Sequence, residues 1–175
     1  RQSVALLVEF VDSATMQLGI PSENVVLLGF SQGATVAFHY ALSTSKRLCA
    51  VVCVSSSVLP ETLLQQEPLR TSDVHTPILV THGSADSRIP IATARSQFDT
   101  CCREVGAIAA SHWEFAEFPK DHEMIASPHE TQAVVTFLAK HLPLRMGQMP
   151  PGAVELTGDD KAEAMRRMTQ TMGQM

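Results

Sequence analysis

The sequence predicts an α/β fold in which helices cover both faces of a parallel sheet. Its 175 residues are 45% hydrophobic and 18% charged, which is typical of a folded domain with a sizeable core. From 1 to 143, short apolar runs of strand length alternate with longer segments whose apolar residues recur at helical spacing. Strands and helices that alternate in this way form right-handed βαβ units, and such units build a parallel sheet.

The first three elements are a helix, a strand and a second helix. Gly19 and Pro21 end the first helix. The unbroken apolar run Val25–Leu28 follows, and it is typical of a strand buried on both faces. The apolar face of the first helix comprises Val4, Leu7, Val8, Val11 and Leu18, and that of the second comprises Val36, Ala37, Phe38, Tyr40, Ala41 and Leu42.

The same alternation continues through the rest of the domain. An irregular polar connection occupies Pro60–Thr76. Ser127 is placed to cap the last helix, with Pro128 in its first turn and Glu130 completing a capping box. The predicted strands are Cys49–Val54, Ile78–Thr81 and Trp113–Phe118, and the predicted helices are Ile91–Val105 and Thr131–Leu142.

Beyond Pro143 the composition changes, and we interpret 144–175 as a linker followed by a Met-rich tail. Glycines and prolines dominate 147–152, and methionines recur on one side of a short helical pattern at 159–172. Two interpretations of this tail stay open. A weakly docked terminus is favoured because chain ends are usually poorly ordered. The alternative is a weak contact with a membrane surface or a partner through the Met-rich side.

Composition excludes several classes of function. The net charge is -5 and no run of Lys or Arg exceeds two residues, so a nucleic-acid partner is not expected. No apolar stretch approaches the roughly 20 residues that span a bilayer, so we expect no transmembrane segment. The amino end carries no charged-then-apolar leader, and its first residue is Arg1 rather than Met, which indicates a fragment. The four cysteines lack zinc-ligand spacing, which predicts reduced thiols, no metal and a cytoplasmic location.

The segment Gly29-Phe30-Ser31-Gln32-Gly33 matches the pattern G-x-S-x-G. An apolar strand ends at Gly29 and an apolar helix begins within three residues, which is the context that a nucleophile elbow requires. Such a turn exposes the Ser31 hydroxyl and places the N–H of Gln32 beside a bound carbonyl, as one donor of an oxyanion hole. We therefore predict Ser31 as a nucleophile; the alternative is an ordinary Gly/Ser turn.

A serine nucleophile needs a base, and the base needs an orienting acid. In α/β hydrolases, which share this turn, the acid and then the histidine follow the serine along the chain. Asp86 follows the strand Ile78–Thr81, and His122 follows the strand Trp113–Phe118. Both residues therefore lie at the carboxyl edge of the sheet together with Ser31. The alternative reading of Asp86 is a turn or capping aspartate.

Other acids and histidines are less well placed. Asp73, Asp99 and Asp121 do not lie in a strand-end loop that precedes the base. His82 is close to the expected site, but we expect it to be structural and to pack beneath the Asp86 loop. The remaining histidines lie in helices or directly before strands: His39, His75, His112, His129 and His141.

Several segments together resemble the phospholipase/carboxylesterase family of α/β hydrolases, which includes the acyl-protein thioesterases. The resemblance covers about 1–143 and implies the carboxyl-terminal part of an α/β-hydrolase fold. The matching segments are Gly19–Ala34, Ser55–Pro60, Thr76–Asp86 with Ile89-Pro90, and the surroundings of His122.

The resemblance also implies a function for this site. Family members hydrolyse carboxylic esters or thioesters without a metal or cofactor, on substrates such as small acyl esters, lysophospholipids or acylated proteins. By resemblance, Ser31 is the nucleophile, His122 the base and Asp86 the acid, Gln32 supplies an oxyanion-hole N–H, and Val58 and Leu59 line the acyl site.

The sequence departs from the family pattern in two places. Lys120-Asp121 stands where members often have a glycine shortly before the histidine. The family's first strands and an HG-type loop, which supplies the second oxyanion donor, precede the helix with which this chain begins. We therefore expect an amino-terminal part of the domain to be missing, and Val25–Leu28 to be an exposed apolar strand at a sheet edge.

Two alternative functions remain open from the sequence. A serine peptidase of the prolyl-oligopeptidase type has the same order of Ser, Asp and His, and activity on peptides would distinguish it. A non-catalytic or truncated hydrolase-fold protein is favoured by the missing strands and opposed by the complete set of Ser31, Asp86 and His122.

Overall fold

The computed structural model describes residues 2–58 and 76–142. Within these residues, helices and strands alternate along the chain as predicted. The strands are β1 (Val26–Phe30), β2 (Ala50–Val54), β3 (Ile78–Gly83) and β4 (Trp113–Phe118). The α-helices are α1 (Gln2–Leu18), α2 (Gln32–Ser43), α3 (Ile91–Val105), α4 (Ala107–Ala110) and α5 (Pro128–His141), and a single 3-10 turn, Ser22–Asn24, precedes β1.

The four described strands form one parallel sheet in the order β1-β2-β3-β4. Every residue of β2 and β3 is buried, as expected for inner strands of a parallel sheet that is covered on both faces. β3 runs two residues beyond its predicted end at Thr81, through His82 and Gly83. The longer strand places Asp86 three residues after the strand end rather than five.

Helices pack on both faces of the sheet, which confirms the predicted architecture. Successive residues of β2 face opposite sides of the sheet, so Val51 packs on one side and Val52 on the other. One core contains buried residues of α1, α2 and α3, among them Val11, Phe38, Tyr40, Phe98 and Val105. The second core packs α5 on the opposite face through Val134 and Phe137.

β1 is the outer strand of this sheet among the described residues. Leu28 is 48% exposed, so the expectation that this strand is buried on both faces is wrong, and the expectation of an apolar strand at a sheet edge is confirmed. Leu18 is also exposed, although its spacing places it on the apolar face of the first helix. α1 contacts the core through Leu7, Val8 and Val11, and its last turn extends past them.

The last helix begins three residues before the predicted start. Pro128 occupies the first turn, and Ser127 Oγ accepts a hydrogen bond from the Glu130 N–H at 3.1 Å, which confirms the predicted cap. The predicted capping box is only half formed. The Glu130 carboxylate accepts hydrogen bonds from Lys120, Thr81 and the Ala126 N–H.

Some predicted features lie outside the described residues. These are Leu59, the connection from 60 to 75, and the linker and tail at 144–175. Within 2–58 and 76–142, no helix has the length and apolar character needed to cross a membrane.

Candidate active site

The turn at Ser31 connects β1 directly to α2. Ser31 has φ +52° and ψ -118°, a region that residues with a side chain seldom occupy. Its N–H donates to the Val54 carbonyl at 2.9 Å, which ties this turn to the end of β2. The strained conformation is therefore held by the sheet, and it directs the Ser31 hydroxyl to the carboxyl edge, as the nucleophile-elbow pattern predicts.

Gly29 is required by the close approach of the strand and the helix. A Cβ atom at this position would lie 2.6 Å from the Ala34 nitrogen and from the Gly33 oxygen, which are both rigid backbone atoms. A Cβ atom at Gly33 would meet no heavy atom within 4 Å other than its chain neighbours and the nearby backbone of its own helix. The close approach of strand and helix therefore requires a glycine at position 29 and not at position 33.

Asp86 is held in its loop by backbone donors. Its Oδ1 accepts hydrogen bonds from the N–H groups of Arg88 at 2.9 Å and Ile89 at 2.8 Å. Burial raises the pKa of the Asp86 carboxyl, but the bonds from Ile89, His122 and Arg88 together lower it more, so this pKa lies below its ordinary value. The carboxylate is therefore ionised and faces His122 at neutral pH.

His122 lies between Asp86 and Ser31. Its Nδ1 is 2.9 Å from Asp86 Oδ2 and 3.1 Å from Oδ1, and its Nε2 is 2.8 Å from Ser31 Oγ. A carboxylate only accepts hydrogen bonds, so Nδ1 carries the proton and Nε2 of the neutral ring accepts from the Ser31 hydroxyl. Phe30 packs against the imidazole with ring centroids 5.2 Å apart. The three residues that the sequence selected thus form one continuous hydrogen-bonded chain.

His82 lies directly beneath this arrangement. Its side chain is fully buried, and its Nε2 is 2.8 Å from the Ile89 carbonyl and 3.3 Å from Asp86 Oδ2. The carbonyl can only accept, so Nε2 carries the proton and also faces the Asp86 carboxylate. The expected packing of His82 beneath the Asp86 loop is confirmed. Its proximity to the carboxylate was not expected, although the position of His82 four residues before Asp86 is a signal that could have indicated it.

The remaining predicted site residues are placed as follows. Gln32 is the first residue of α2, where a backbone N–H has no acceptor within the helix. Val58 is 5% exposed in the core that contains α2, and its N–H donates to Gln97 Oε1 at 2.9 Å. An open cavity of about 470 Å³ lies beside the nucleophile turn, lined by Ser3, Leu6, Leu7, Gln32, Gly33 and Val36.

All four cysteines are free thiols, and the Cys53 thiol donates to the Ala34 carbonyl in the first turn of α2, at 3.4 Å. Burial raises the pKa of Cys101 to about 12 and that of Cys102 to about 11, so neither is a thiolate at neutral pH. In the part of the chain that the structure describes, no three His, Cys, Asp or Glu side chains cluster so as to hold a metal ion.

Comparison with known proteins assigns this chain to a family of hydrolases that act on esters or thioesters. The model of the phospholipase/carboxylesterase family matches residues 1–142. Acyl-protein thioesterase 1 of Schizosaccharomyces pombe is 36% identical over 91 residues, which are 51% of this chain and 39% of the relative. Acyl-protein thioesterase 1 of Neurospora crassa is 28% identical over 127 residues, or 71% of this chain and 49% of the relative. The chain thus spans less than half the length of these curated relatives.

Solved structures share the fold at low sequence identity. The L63A variant of Arabidopsis thaliana SOBER1 aligns with a TM-score of 0.64 at 22% identity, over 79% of this chain and 62% of that chain. Esterase PE8 aligns with a TM-score of 0.61 at 22% identity, over 79% and 60%. Acyl-protein thioesterase 2 of Zea mays aligns with a TM-score of 0.52 at 22% identity, over 66% and 55%. These likenesses support the α/β-hydrolase fold.

Proposed function

This chain belongs to the phospholipase/carboxylesterase family, and we propose that it hydrolyses carboxylic esters or thioesters through an acyl-enzyme on Ser31. The observation that carries the proposal is the hydrogen-bonded chain from Ser31 through His122 to Asp86. A serine hydroxyl is a weak nucleophile unless an adjacent base accepts its proton and a third group orients that base. Ser31 is the proposed nucleophile, His122 the base and Asp86 the orienting group, and each lies at hydrogen-bond distance from the next.

In the proposed first step, His122 Nε2 accepts the Ser31 proton while Oγ attacks the acyl carbonyl carbon. Asp86 keeps the Nδ1 proton in place and stabilises the imidazolium that forms. The tetrahedral intermediate collapses when His122 returns a proton to the leaving alcohol or thiol. The product is released, and the acyl group remains as an ester on Ser31.

In the second step, water replaces the alcohol or thiol. His122 removes a proton from the water as the oxygen attacks the acyl-enzyme, and it then protonates Ser31 Oγ as the carboxylic acid departs. The same 2.8 Å contact between Nε2 and Oγ therefore serves both halves of the reaction, in opposite directions. The reaction requires no redox or metal chemistry on these residues.

The negative charge on the carbonyl oxygen needs donors that are fixed before the reaction. We propose that the Gln32 N–H is one of them, since it lies at the first turn of α2, directly after the nucleophile. A free N–H at a helix amino terminus also carries the positive end of the helix dipole. One such donor typically contributes on the order of 10²–10³ in rate.

We propose acylated molecules as the substrate class. The curated relatives are named acyl-protein thioesterases, which supports acylated proteins as candidates, and the family's description as phospholipase and carboxylesterase supports lysophospholipids and small acyl esters. Val58 and Leu59 remain the predicted lining of the acyl site. Val58 follows the buried turn at the end of β2, at the same sheet edge as Ser31. A cytoplasmic location remains part of this proposal.

Turnover of a matched set of acyl compounds tests the proposal. The set is a p-nitrophenyl acetate and octanoate pair, the corresponding thioesters, and a peptide p-nitroanilide, each measured with the wild-type chain and with Ser31→Ala and His122→Ala. We expect hydrolysis of the esters or thioesters, no cleavage of the peptide, and loss of turnover in both variants. Cleavage of the peptide alone, or turnover that survives Ser31→Ala, would contradict the proposal.

A further inference from the structure

Lys120 is a buried cation two residues before His122. Its side chain is 3% exposed, and its Nζ is 2.6 Å from Oε1 of Glu130, whose side chain is fully buried. Lysine and glutamate are almost never fully buried unless they are paired. The pair lies behind the loop that carries His122, where the end of β4 meets the start of α5.

The ammonium group also binds the loop backbone on the far side of His122. Nζ donates to the Glu123 carbonyl at 3.0 Å and to the Met124 carbonyl at 3.1 Å. An ammonium has three N–H donors, and these two bonds and the bond to Glu130 use all three. The Lys120 side chain therefore closes the segment 120–124 into a hydrogen-bonded ring, and His122 is one of the residues in this ring.

The Glu130 carboxylate connects this ring to the rest of the site. Its Oε1 also accepts from the Thr81 hydroxyl on β3 at 2.7 Å, and its Oε2 accepts from the Ala126 N–H at 3.1 Å. β3 is the strand that leads into the Asp86 loop. The ion pair between Lys120 and Glu130 thus connects the loop that carries His122 to β3, which leads to Asp86.

The backbone of Lys120 and Asp121 also contacts the Asp86 loop directly. The Lys120 carbonyl accepts from the Ala85 N–H at 3.1 Å, and a Cβ atom at Gly83 would overlap the carbonyl oxygens of Lys120 and Asp121. Asp121 Oδ1 accepts from the Ser87 N–H at 2.7 Å. Small relative shifts of these two loops are therefore opposed by contacts on several sides.

We propose that Lys120 is a positioning residue for the hydrolysis proposed above. By binding the Glu123 and Met124 carbonyls, its ammonium fixes the loop so that His122 presents Nδ1 to Asp86 and Nε2 to Ser31. The effect of Lys120 on catalysis rests on the proposed function. Its effect on the position of the His122 imidazole rests on the geometry alone.

A double substitution separates this role from a contribution to folding. Lys120→Met keeps most of the side-chain volume but leaves the Glu130 carboxylate buried without its cation, which destabilises a fold strongly. Lys120→Met with Glu130→Gln removes both charges, and neutral replacements of buried ion pairs often preserve stability. In this double variant the Glu123 carbonyl keeps only the bond from the Ser55 hydroxyl, at 3.2 Å, and the loop loses its central donor.

The kinetic experiment compares the double variant with a matched control. Lys140→Met removes an exposed lysine that pairs with Glu114 on the surface, and it should leave hydrolysis of p-nitrophenyl acetate unchanged. The double variant should lose about 10²-fold in kcat with little change in KM, because a misplacement of about 1 Å in a catalytic group has an effect of this order. A folded double variant with wild-type kcat would overturn the proposal.

Proton NMR supplies a readout that does not depend on turnover. The hydrogen-bonded Nδ1 proton of His122 should give a downfield resonance in the wild-type chain and in Lys140→Met, and His122→Gln identifies it by its loss. The resonance should broaden or disappear in the double variant, and its persistence there would overturn the proposal. If the wild-type chain shows the resonance but no turnover, the proposed function fails while the positioning role is still decided by this comparison.

A second variant covers the case in which the double variant does not fold. Lys120→Gln with Glu130→Gln also leaves no unpaired charge, and the amide introduced at position 120 has two N–H donors, so after one bond to the side chain at position 130 it can bind at most one of the two loop carbonyls. We expect a smaller loss of kcat and a partial broadening of the same resonance. Wild-type values of both in a folded chain with these two substitutions would also overturn the proposal.

Discussion

Ser31 Oγ and His122 Nε2 lie 2.8 Å apart although 91 residues separate them in the sequence. Parallel strands account for this contact, because β1 and β4 both end at the same edge of the sheet. Ser31 follows β1 directly, and the loop from β4 returns across the ends of β3 and β2 to reach it. The contact therefore depends on the two loops, and on the contacts that Lys120 and Glu130 make with the loop of His122, as much as on the two side chains.

Asp86→Asn should lower kcat for the proposed ester hydrolysis by about 10⁴ while leaving the fold intact, as the equivalent change does in the Ser-His-Asp triad of a serine protease. The asparagine amide would donate to Nδ1, so the neutral His122 ring would carry its proton on Nε2 and could not accept from Ser31. Steady-state kinetics measures the loss, with Asp99→Asn on the exposed side of α3 as the control. Wild-type kcat in Asp86→Asn would show that His122 does not need an orienting carboxylate.

The two glycines beside Ser31 should differ in their tolerance of a methyl group. Gly29→Ala places Cβ against backbone atoms at 2.6 Å, and overpacking of this kind destabilises by about 1–3 kcal/mol. Gly33→Ala meets no atom within 4 Å and should change the free energy of unfolding by less than about 0.5 kcal/mol. Urea unfolding of both variants measures this difference. Equal destabilisation would mean that the strand and helix are not in such close contact.

Asp86 should contribute to stability at neutral pH and lose that contribution in acid. Its folded pKa lies below the ordinary value of 3.8, so the ionised form is stabilised by folding. The contribution is complete above the ordinary pKa and disappears as the pH falls through the folded one. The difference in free energy of unfolding between wild type and Asp86→Asn should therefore shrink between pH 7 and pH 3. If the difference in free energy of unfolding stayed constant over this range, folding would not lower the pKa of Asp86.

Ser127→Ala should lower the free energy of unfolding by about 1 kcal/mol, because it removes the acceptor of the Glu130 N–H at the start of α5. Ser96→Ala, at an exposed position within α3, is the control and should have an effect within about 0.5 kcal/mol. Urea titration of both variants provides the comparison. An unchanged stability in Ser127→Ala would indicate that the helix start is held by its neighbours rather than by the cap.

The sequence was sufficient to predict the fold and the meeting of Ser31, Asp86 and His122 at one edge of the sheet. Unbroken apolar runs are typical of strands inside a parallel sheet, and the polar segments after them must meet at its carboxyl edge. The strand Trp113–Phe118 and the helix Ile91–Val105 have the predicted limits. β3 ends later than predicted because His82 and Gly83 do not continue the apolar run, although both pair with β4.

The contacts that support the site could not be predicted in the same way. Lysine and glutamate are read as surface residues from a sequence, so nothing indicated that Lys120 and Glu130 form a buried pair. Their burial follows from the convergence of the β4 end with the α5 start, which is a tertiary property. The exposure of Leu28 depends likewise on which strands flank β1, and an apolar run does not carry that information.

Covalent labelling tests whether His122 and Asp86 activate the Ser31 hydroxyl. The wild-type chain and Ser31→Ala are incubated with a fluorophosphonate, and the intact mass of each is measured. We expect a single adduct on the wild-type chain and none on Ser31→Ala, because His122 and Asp86 activate this hydroxyl and no other. No adduct on the folded wild-type chain, or an adduct that persists in Ser31→Ala, would contradict it.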